Sequence, residues 1–183
     1  MILYVNCCAR EQSRTDILAR EVIKRIGDEV VELNLYKENL KSLDAKAVAK
    51  RDSLAAAGNF SDPMFDYAKQ FMSADTIVIG AQFWDYSFPS LLKTYIENVF
   101  CVGLISVYDQ FGVPHGKCRA DKLYYVSTAG GQFLPEYGYE WIRAVVTRSF
   151  GIRETGLIYA EMLDIEGNDA DAIMRKAIDS IVL

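Results

Sequence analysis

Residues 76–100 read TIVIGAQFWDYSFPSLLKTYIENVF and join an apolar run, an aromatic loop and an amphipathic segment without a gap. The run at residues 77–81 has no polar alternation, which is typical of a strand buried on both faces of a parallel sheet. From Ser90 onward the apolar residues recur at helical spacing, and Pro89 suits the first turn of a helix. This stretch therefore predicts a central strand, a loop at its carboxyl end and a helix.

The composition predicts one ordinary globular domain over residues 1–183. Hydrophobic residues make up 51% of the chain and charged residues 25%, and the formal net charge is -5 at pH 7. A negative net charge argues against a nucleic-acid partner, whose phosphates favour a basic surface. No apolar run reaches membrane-spanning length and no charged leader precedes the first strand, so we expect a cytoplasmic protein with no membrane partner.

The cysteines and the single histidine form no metal or relay motif. The four cysteines lack metal-ligand spacing, and the adjacent Cys7 and Cys8 are geometrically unsuited to an ordinary disulfide. His115 lies in a Pro-His-Gly turn, where a solvent-facing side chain is commoner than a catalytic base. We therefore predict reduced thiols, no metal site and no catalytic side-chain relay.

Four further apolar runs and five helical patterns surround the central stretch. The runs at residues 2–5, 30–35, 122–127 and 156–160 predict strands. Helical spacing follows Ser13, whose Ser-x-x-Asp pattern predicts a helix cap, and recurs at residues 44–57, 61–72, 136–150 and 169–182. This alternation predicts an α/β three-layer sandwich with a five-stranded parallel sheet in the order 2-1-3-4-5. Residues 101–121 are predicted to be a long irregular segment.

The loop after the first strand is a candidate anion site. In the predicted order the carboxyl ends of the first, third and fourth strands meet, and open parallel sheets bind ligands at such a point. Arg10, Ser13 and Thr15 stand where this loop enters a helix, whose free N–H groups and dipole favour a phosphate. The segment has no glycine, so it is neither a Walker loop nor a dinucleotide fingerprint, and helix capping alone would also explain Ser13.

The loops after the third and fourth strands supply an aromatic surface and a glycine pair. The first of them carries Phe83, Trp84, Tyr86 and Phe88. So much apolar area in a loop indicates a wall for a flat ring, or else packing on other loops or on a second subunit. The second loop places a glycine pair directly after a strand, where backbone N–H groups can approach a ligand closely or a tight turn can form. Together the three loops predict a site for a flat molecule with an anionic tail, a description that FMN fits best.

At this point the chain resembles a known family. The run FWDYSFPSLLKTYIENV at residues 83–99, followed by Gly103, Tyr108, Gly116-Lys117 and STAGG at residues 127–131, is similar to flavodoxin-like NAD(P)H:quinone oxidoreductases and FMN-dependent azoreductases. The similarity is specific over residues 77–131 and looser outside them. It implies a flavodoxin-like fold and a homodimer with FMN at the subunit interface. It also implies two-electron reduction of quinones or azo compounds by NADH or NADPH.

Carried over by position, the resemblance completes the predicted cofactor site. The residues expected to bind FMN are Arg10, Ser13, Thr15, Phe83, Trp84, Asp85, Tyr86, Thr128, Ala129, Gly130 and Gly131. The hydroxyl groups near the first helix would hold the phosphate, the aromatic loop would border the ring and ribityl chain, and the glycine loop would hold the polar edge of the ring. Trp84 and Phe133 are the expected stacking walls, and residues 101–121 the expected contribution of a partner subunit.

The chain departs from the pattern of this family at several positions. Ala9 and Arg10 stand where the family often has a serine or histidine, and Gln132 and Phe133 stand where a histidine often follows the glycine pair. Asp85 stands where the family often has an asparagine. A carboxylate beside a reduced, anionic flavin would disfavour that charge and lower the reduction potential.

Two other functions compete with the enzyme. A flavodoxin-type electron carrier would bind FMN without oxidising a nicotinamide nucleotide, but the hydroxyl- and glycine-rich phosphate loop expected of such carriers is absent. A redox sensor would use Cys7 and Cys8, which lie at a strand end beside the predicted cofactor, although buried structural thiols are commoner than sensors. For the enzyme we expect no catalytic side chain, because the flavin carries the chemistry and the protein supplies orientation and electrostatics.

Overall fold

The fold is built on one parallel sheet. A computed structural model describes residues 1–183. The five strands are β1 (Ile2–Cys7), β2 (Val30–Asn34), β3 (Thr76–Ala81), β6 (Lys122–Thr128) and β7 (Glu154–Ala160), and their order is β2-β1-β3-β6-β7. Asn6 lies opposite Asn34 on one side and Gly80 on the other, and Gly80 lies opposite Val126. The predicted α/β architecture and the predicted order 2-1-3-4-5 are therefore confirmed.

Six helices accompany the sheet. They are α1 (Arg14–Ile26), α2 (Ala45–Ala56), α3 (Asp66–Ser73), α4 (Ser90–Val99), α5 (Tyr139–Val145) and α6 (Ala170–Asp179). Ser13 caps α1 as predicted, since its hydroxyl accepts a hydrogen bond from the Asp16 N–H. None of the six helices combines the length and the apolar character that crossing a lipid bilayer requires.

Two apolar layers hold the sandwich together, one on each face of the sheet. One face of β1 contributes Leu3, Val5 and Cys7 to a cluster that includes residues of α3, α4 and α5. The opposite face contributes Ile2 and Tyr4 to a cluster with residues of α1 and α6. Burial on both faces explains why the central strands read as unbroken apolar runs. Helix α2 buries none of its residues and lies at the periphery.

Three predicted segments differ from the structure. Residues 101–121 include an antiparallel ribbon of two short strands, β4 (Ser106–Tyr108) and β5 (Pro114–Gly116), so the segment is not wholly irregular. The helix predicted at residues 136–150 is interrupted, because a 3₁₀ turn precedes α5 and a π-helical turn, Val146–Phe150, follows it. The last strand, β7, begins at Glu154, two residues before the predicted start at Gly156. Glu154 and Thr155 have no apolar side chains, but their backbone already pairs with β6.

Candidate functional site

The loops that follow β1, β3 and β6 meet around a cavity of about 260 Å³. Eight of the residues predicted to bind the cofactor line it: Arg10, Ser13, Thr15, Phe83, Trp84, Thr128, Ala129 and Gly130. Asp85, Tyr86 and Gly131 are not among its lining residues. The convergence expected from the strand order is therefore present, and we refer to this cavity as the polar pocket.

The start of α1 forms one wall of the polar pocket and supplies hydrogen-bond donors. The backbone N–H groups of Arg14 and Thr15 make no hydrogen bond within the chain, as is usual in the first turn of a helix. Ser13 and Thr15 are both buried, and Arg10 makes no ion pair. Free N–H groups, hydroxyl groups and an unpaired guanidinium are the donors that bind phosphate at helix N-termini. This donor set fits the phosphate of a mononucleotide.

A buried hydroxyl pair joins this wall to the loop after β6. The Thr15 Oγ1 and Thr128 Oγ1 atoms lie 2.6 Å apart, and either hydroxyl can be the donor. The backbone N–H of Phe83 also donates to the Thr128 carbonyl oxygen at 3.0 Å, which links the loop after β3 to the same residue. Thr128, at the end of β6, is therefore hydrogen-bonded to residues of both other loop regions.

Gln82 makes a second link that the sequence did not reveal. It is 6% exposed, and its amide lies between the loops after β1 and β3. With the amide nitrogen towards Cys7, that nitrogen donates to the Cys7 carbonyl oxygen at 2.7 Å, and the amide oxygen accepts from the Ala9 N–H at 3.2 Å. A glutamine at the start of an aromatic loop gives no local signal for such a cross-link, because its partners are distant in sequence.

The glycine loop offers free donors to the site. The carbonyl oxygens of Ala129, Gly130 and Gly131 accept hydrogen bonds from the backbone of residues 162–164, whereas the N–H groups of Gly130 and Gly131 make none within the chain. A Cβ atom on Gly130 would collide with Asp164 Oδ2, but one on Gly131 would meet nothing within 4 Å. Neither glycine has a positive φ. The close approach of Asp164 therefore explains why residue 130 is a glycine. A positive φ does not explain it, because Gly130 has none.

The aromatic loop is a two-residue hairpin. Trp84 and Ser87 exchange backbone hydrogen bonds of 2.8 and 2.7 Å, and the central residues Asp85 and Tyr86 have φ angles of 49° and 62°. Two positive φ angles define a type I′ turn, which favours Asn-Gly because most side chains are strained there. The Tyr86 side chain is well exposed and lies beside the ring of Tyr137, at 6.1 Å between ring centroids.

A second, more apolar cavity of about 750 Å³ lies on the other side of this hairpin. Its lining includes Trp84, Asp85, Phe88, Tyr137 and Trp141. Trp84 lines both cavities, so its indole stands between the polar pocket and this aromatic groove. The predicted position of Trp84 at a stacking wall is consistent with that placement, and Asp85 lies in the groove.

Phe133 is placed differently from the expectation that it forms a stacking wall. Its side chain is only 4% exposed, and its ring stacks on Tyr159 at 4.9 Å and meets Phe83 edge-on at 5.1 Å. It does not line the polar pocket. Phe133 therefore supports Phe83 from below and has no free face for a ligand.

A partly buried ionic network lies behind the loop after β1. The Asp16 carboxylate accepts hydrogen bonds from Tyr4, Asn6 and Arg20, at 2.7 to 3.1 Å. Hydrogen bonding to Asp16, reinforced by Glu32, raises the pKa of Arg20 above its usual range. The Asn6 side-chain oxygen in turn accepts from the Cys8 N–H at 3.0 Å, so the network fixes the start of the loop.

The two adjacent cysteines are buried thiols. Burial raises the pKa of Cys7 to about 12 and that of Cys8 to about 11. All four cysteines are free, in agreement with the predicted reduced thiols. Since the thiolate is the reactive form, Cys7 and Cys8 lack the environment of a redox sensor.

The fold and the site together define a flavodoxin-like α/β protein with a loop that presents unbonded N–H groups at the carboxyl edge of its sheet. The chain belongs to the flavodoxin-like fold family, whose sequence model matches residues 1–182.

Curated relatives of the chain are similar over almost their whole length. An FMN-dependent NADH:quinone oxidoreductase of Clostridium beijerinckii is 35% identical over 189 aligned residues, which cover 97% of this chain and 94% of the relative. A protein of Clostridium acetobutylicum that carries the same name, numbered 2, is 30% identical with the same coverage.

A solved structure supports the fold assignment. An azoreductase from Bacillus anthracis superposes with a TM-score of 0.82 at 23% identity, covering 97% of this chain and 94% of that one.

Proposed function

We propose that this protein is an FMN-dependent oxidoreductase that takes two electrons from NADH or NADPH and delivers them to a quinone, an azo compound or a similar flat acceptor. The observation that carries the proposal is the polar pocket, where three loops present phosphate donors beside an indole ring. The names of the clostridial relatives support the same cofactor, donor and acceptor.

The residues of the pocket divide into a phosphate end and a ring end. Ser13, the N–H groups of Arg14 and Thr15, and the guanidinium groups of Arg10 and Arg14 would hold the phosphate. The N–H groups of Gly130 and Gly131 would donate to the polar edge of the flavin, and Trp84 would lie against its ring. FMN supplies the hydride chemistry when bound, and the protein orients it and stabilises the charge of the reduced state.

We propose a homodimer in which a second copy covers the exposed aromatic residues near the site. Trp84, Tyr86 and Tyr137 are 39%, 68% and 55% exposed around the aromatic groove, and such a patch marks an interaction surface. Phe111, at the tip of the β4–β5 ribbon, is 81% exposed and is a second candidate contact. Light scattering after size-exclusion chromatography tests this proposal, which predicts twice the mass of the chain.

The four free cysteines support a cytoplasmic location.

Anaerobic mixing tests the enzymatic function directly. The protein is loaded with FMN, freed of excess flavin and mixed under nitrogen with NADH or NADPH in a stopped-flow spectrometer. We expect the yellow absorbance to bleach rapidly with one of the two nucleotides and to return when a quinone is added. A flavin that stays oxidised with both nucleotides but is reduced by dithionite would instead indicate an electron carrier.

A further inference from the structure

A carboxylate occupies the rim of the pocket that is suited to a phosphate. Asp164, which follows β7, lines the polar pocket together with Arg10, Arg14 and Gly130. Its Oδ1 atom accepts a hydrogen bond from the Arg14 Nη1 atom at 2.8 Å, across 150 residues of sequence. No feature of the resemblance or of the helix start requires an acidic residue here.

The position of Asp164 is fixed by the glycine loop. The Asp164 N–H donates to the Gly130 carbonyl oxygen at 2.9 Å. The Oδ2 atom lies against the Gly130 Cα, in the space that a Cβ would fill in any other residue. Gly130 therefore makes room for this carboxylate, which lies at the exposed rim between the glycine loop and the first turn of α1.

The ion pair between Arg14 and Asp164 is one that a ligand can open. The two side chains are 44% and 68% exposed, and exposed ion pairs contribute little to stability. A phosphate bound at the start of α1 would carry more negative charge than Asp164 and would present several oxygen atoms to the same guanidinium. Its presence beside the Asp164 carboxylate would also place like charges close together.

We propose that Asp164 competes with the cofactor phosphate for Arg14 and so lowers the affinity of the pocket for phosphorylated flavin. The inference rests on the proposed function, because it assumes that the pocket binds FMN. The flavin is then held less tightly than the other donors would allow. Asp164 therefore affects the binding of flavins that carry a phosphate and does not affect binding of the flavin ring itself.

The test compares FMN with riboflavin, which lacks the phosphate. Both are titrated into the apoprotein and into the variant Asp164→Asn, which keeps the shape of the side chain and an acceptor for Arg14. We expect FMN to bind the variant about tenfold more tightly than wild type, a gain that shrinks at high salt, and riboflavin to be affected less than about twofold. The control Glu166→Gln removes the same charge from an exposed residue outside the pocket and should leave both affinities unchanged.

A second pair of variants tests the competition for Arg14. In the Arg14→Gln background, replacing Asp164 by Asn should improve FMN binding by only about two- to threefold, because the competition for the guanidinium is gone and only the direct repulsion between the carboxylate and the phosphate remains. An effect of equal size in both backgrounds would overturn the competition. So would an Asp164→Asn variant that binds FMN no better than Glu166→Gln does, or that improves riboflavin binding as much as FMN binding.

Failure of this inference is distinguishable from failure of the proposed function. Wild-type protein that binds FMN but shows no effect of Asp164→Asn refutes the role of Asp164 alone. Wild-type protein that binds neither flavin refutes the cofactor, and the role of Asp164 with it.

Discussion

The hydroxyl oxygens of Thr15 and Thr128 lie 2.6 Å apart although 113 residues of sequence separate them. Both side chains are buried, so neither hydroxyl has ready access to water. This contact joins the start of α1 to the end of β6 and closes the floor of the polar pocket. The contact stabilises the base of the site through two residues that are far apart in sequence.

Removing both members of this pair should cost less than the sum of the two single removals. The variant Thr128→Val leaves the Thr15 hydroxyl buried without a partner, and we expect a loss of about 1–3 kcal/mol in the free energy of unfolding. The double variant Thr15→Val/Thr128→Val leaves no orphaned hydroxyl, so its loss should be smaller than the sum of the single losses. Urea denaturation of the apoproteins provides the measurement. Strictly additive losses would contradict the direct contact.

The hairpin at Asp85 and Tyr86 should store backbone strain. Tyr86→Gly removes the penalty of a positive φ, whereas Tyr86→Ala removes the same ring and keeps that penalty. We expect the glycine variant to be about 1 kcal/mol more stable than the alanine variant, despite the greater freedom of glycine in the unfolded chain. Thermal unfolding should place its midpoint about 2–4 °C higher. An alanine variant of equal or greater stability would mean that the turn is not strained.

The two glycines after β6 should differ in their tolerance of a side chain. Gly130→Ala places a Cβ against Asp164 Oδ2, and because the Asp164 side chain is exposed and can turn away, we expect a loss of only about 0.5–1 kcal/mol, together with loss of the ion pair to Arg14. Gly131→Ala meets open space and should change stability by less than about 0.5 kcal/mol. Denaturant unfolding of the two apoprotein variants compares them. Equal losses would show that Asp164 does not pack on Gly130.

The buried cysteines should resist alkylation and should make stability fall at high pH. The pKa values of Cys7 and Cys8 rise from 9.0 to about 12 and about 11, so the folded protein retains protons that the unfolded chain loses. The free energy of unfolding should therefore decrease as the pH rises above about 9.

At pH 8, iodoacetamide should modify these thiols at a small fraction of the rate for denatured protein, as peptide mass spectrometry would reveal. The variant Cys7→Ser/Cys8→Ser should still bind FMN and be reduced by NADH or NADPH. Rapid modification of Cys8 in the folded protein would support a redox-sensor function instead. Loss of both FMN binding and reduction by NADH or NADPH in the variant would support it as well.

Much of the fold could be predicted because its signals are local. Unbroken apolar runs mark strands buried on both faces, and the alternation of strands with helices restricts the topology to a few orders. The strand order then places the loops after β1, β3 and β6 together, which locates the polar pocket. Cap signals such as Ser13 and Asp16 set the start of α1 for the same local reason.

The contacts that complete the site could not be predicted, because their partners are far apart in sequence. Asp164 lies in an unremarkable acidic turn, and only the folded chain brings it to Arg14. Gln82 gives no sign of its link to Cys7 and Ala9.

Local signals also failed where they are weak or ambiguous. The β4–β5 ribbon has strands of three residues, too short for a period to be recognised. The type I′ turn lacks the glycine or asparagine that usually marks it. An aromatic residue after a glycine pair gives the same sequence signal whether it faces a ligand or the core, so the packing of Phe133 on Phe83 and Tyr159 could not be told from a stacking wall.

The central claim is that three loops at one edge of the sheet bind FMN through its phosphate and its ring. Titration of FMN into the apoprotein, followed by flavin fluorescence and run in parallel with riboflavin, tests it most directly. We predict saturable binding of one FMN per chain, with riboflavin at least about tenfold weaker because it lacks the phosphate. No saturable binding of FMN, or equal affinity for the two flavins, would contradict the account.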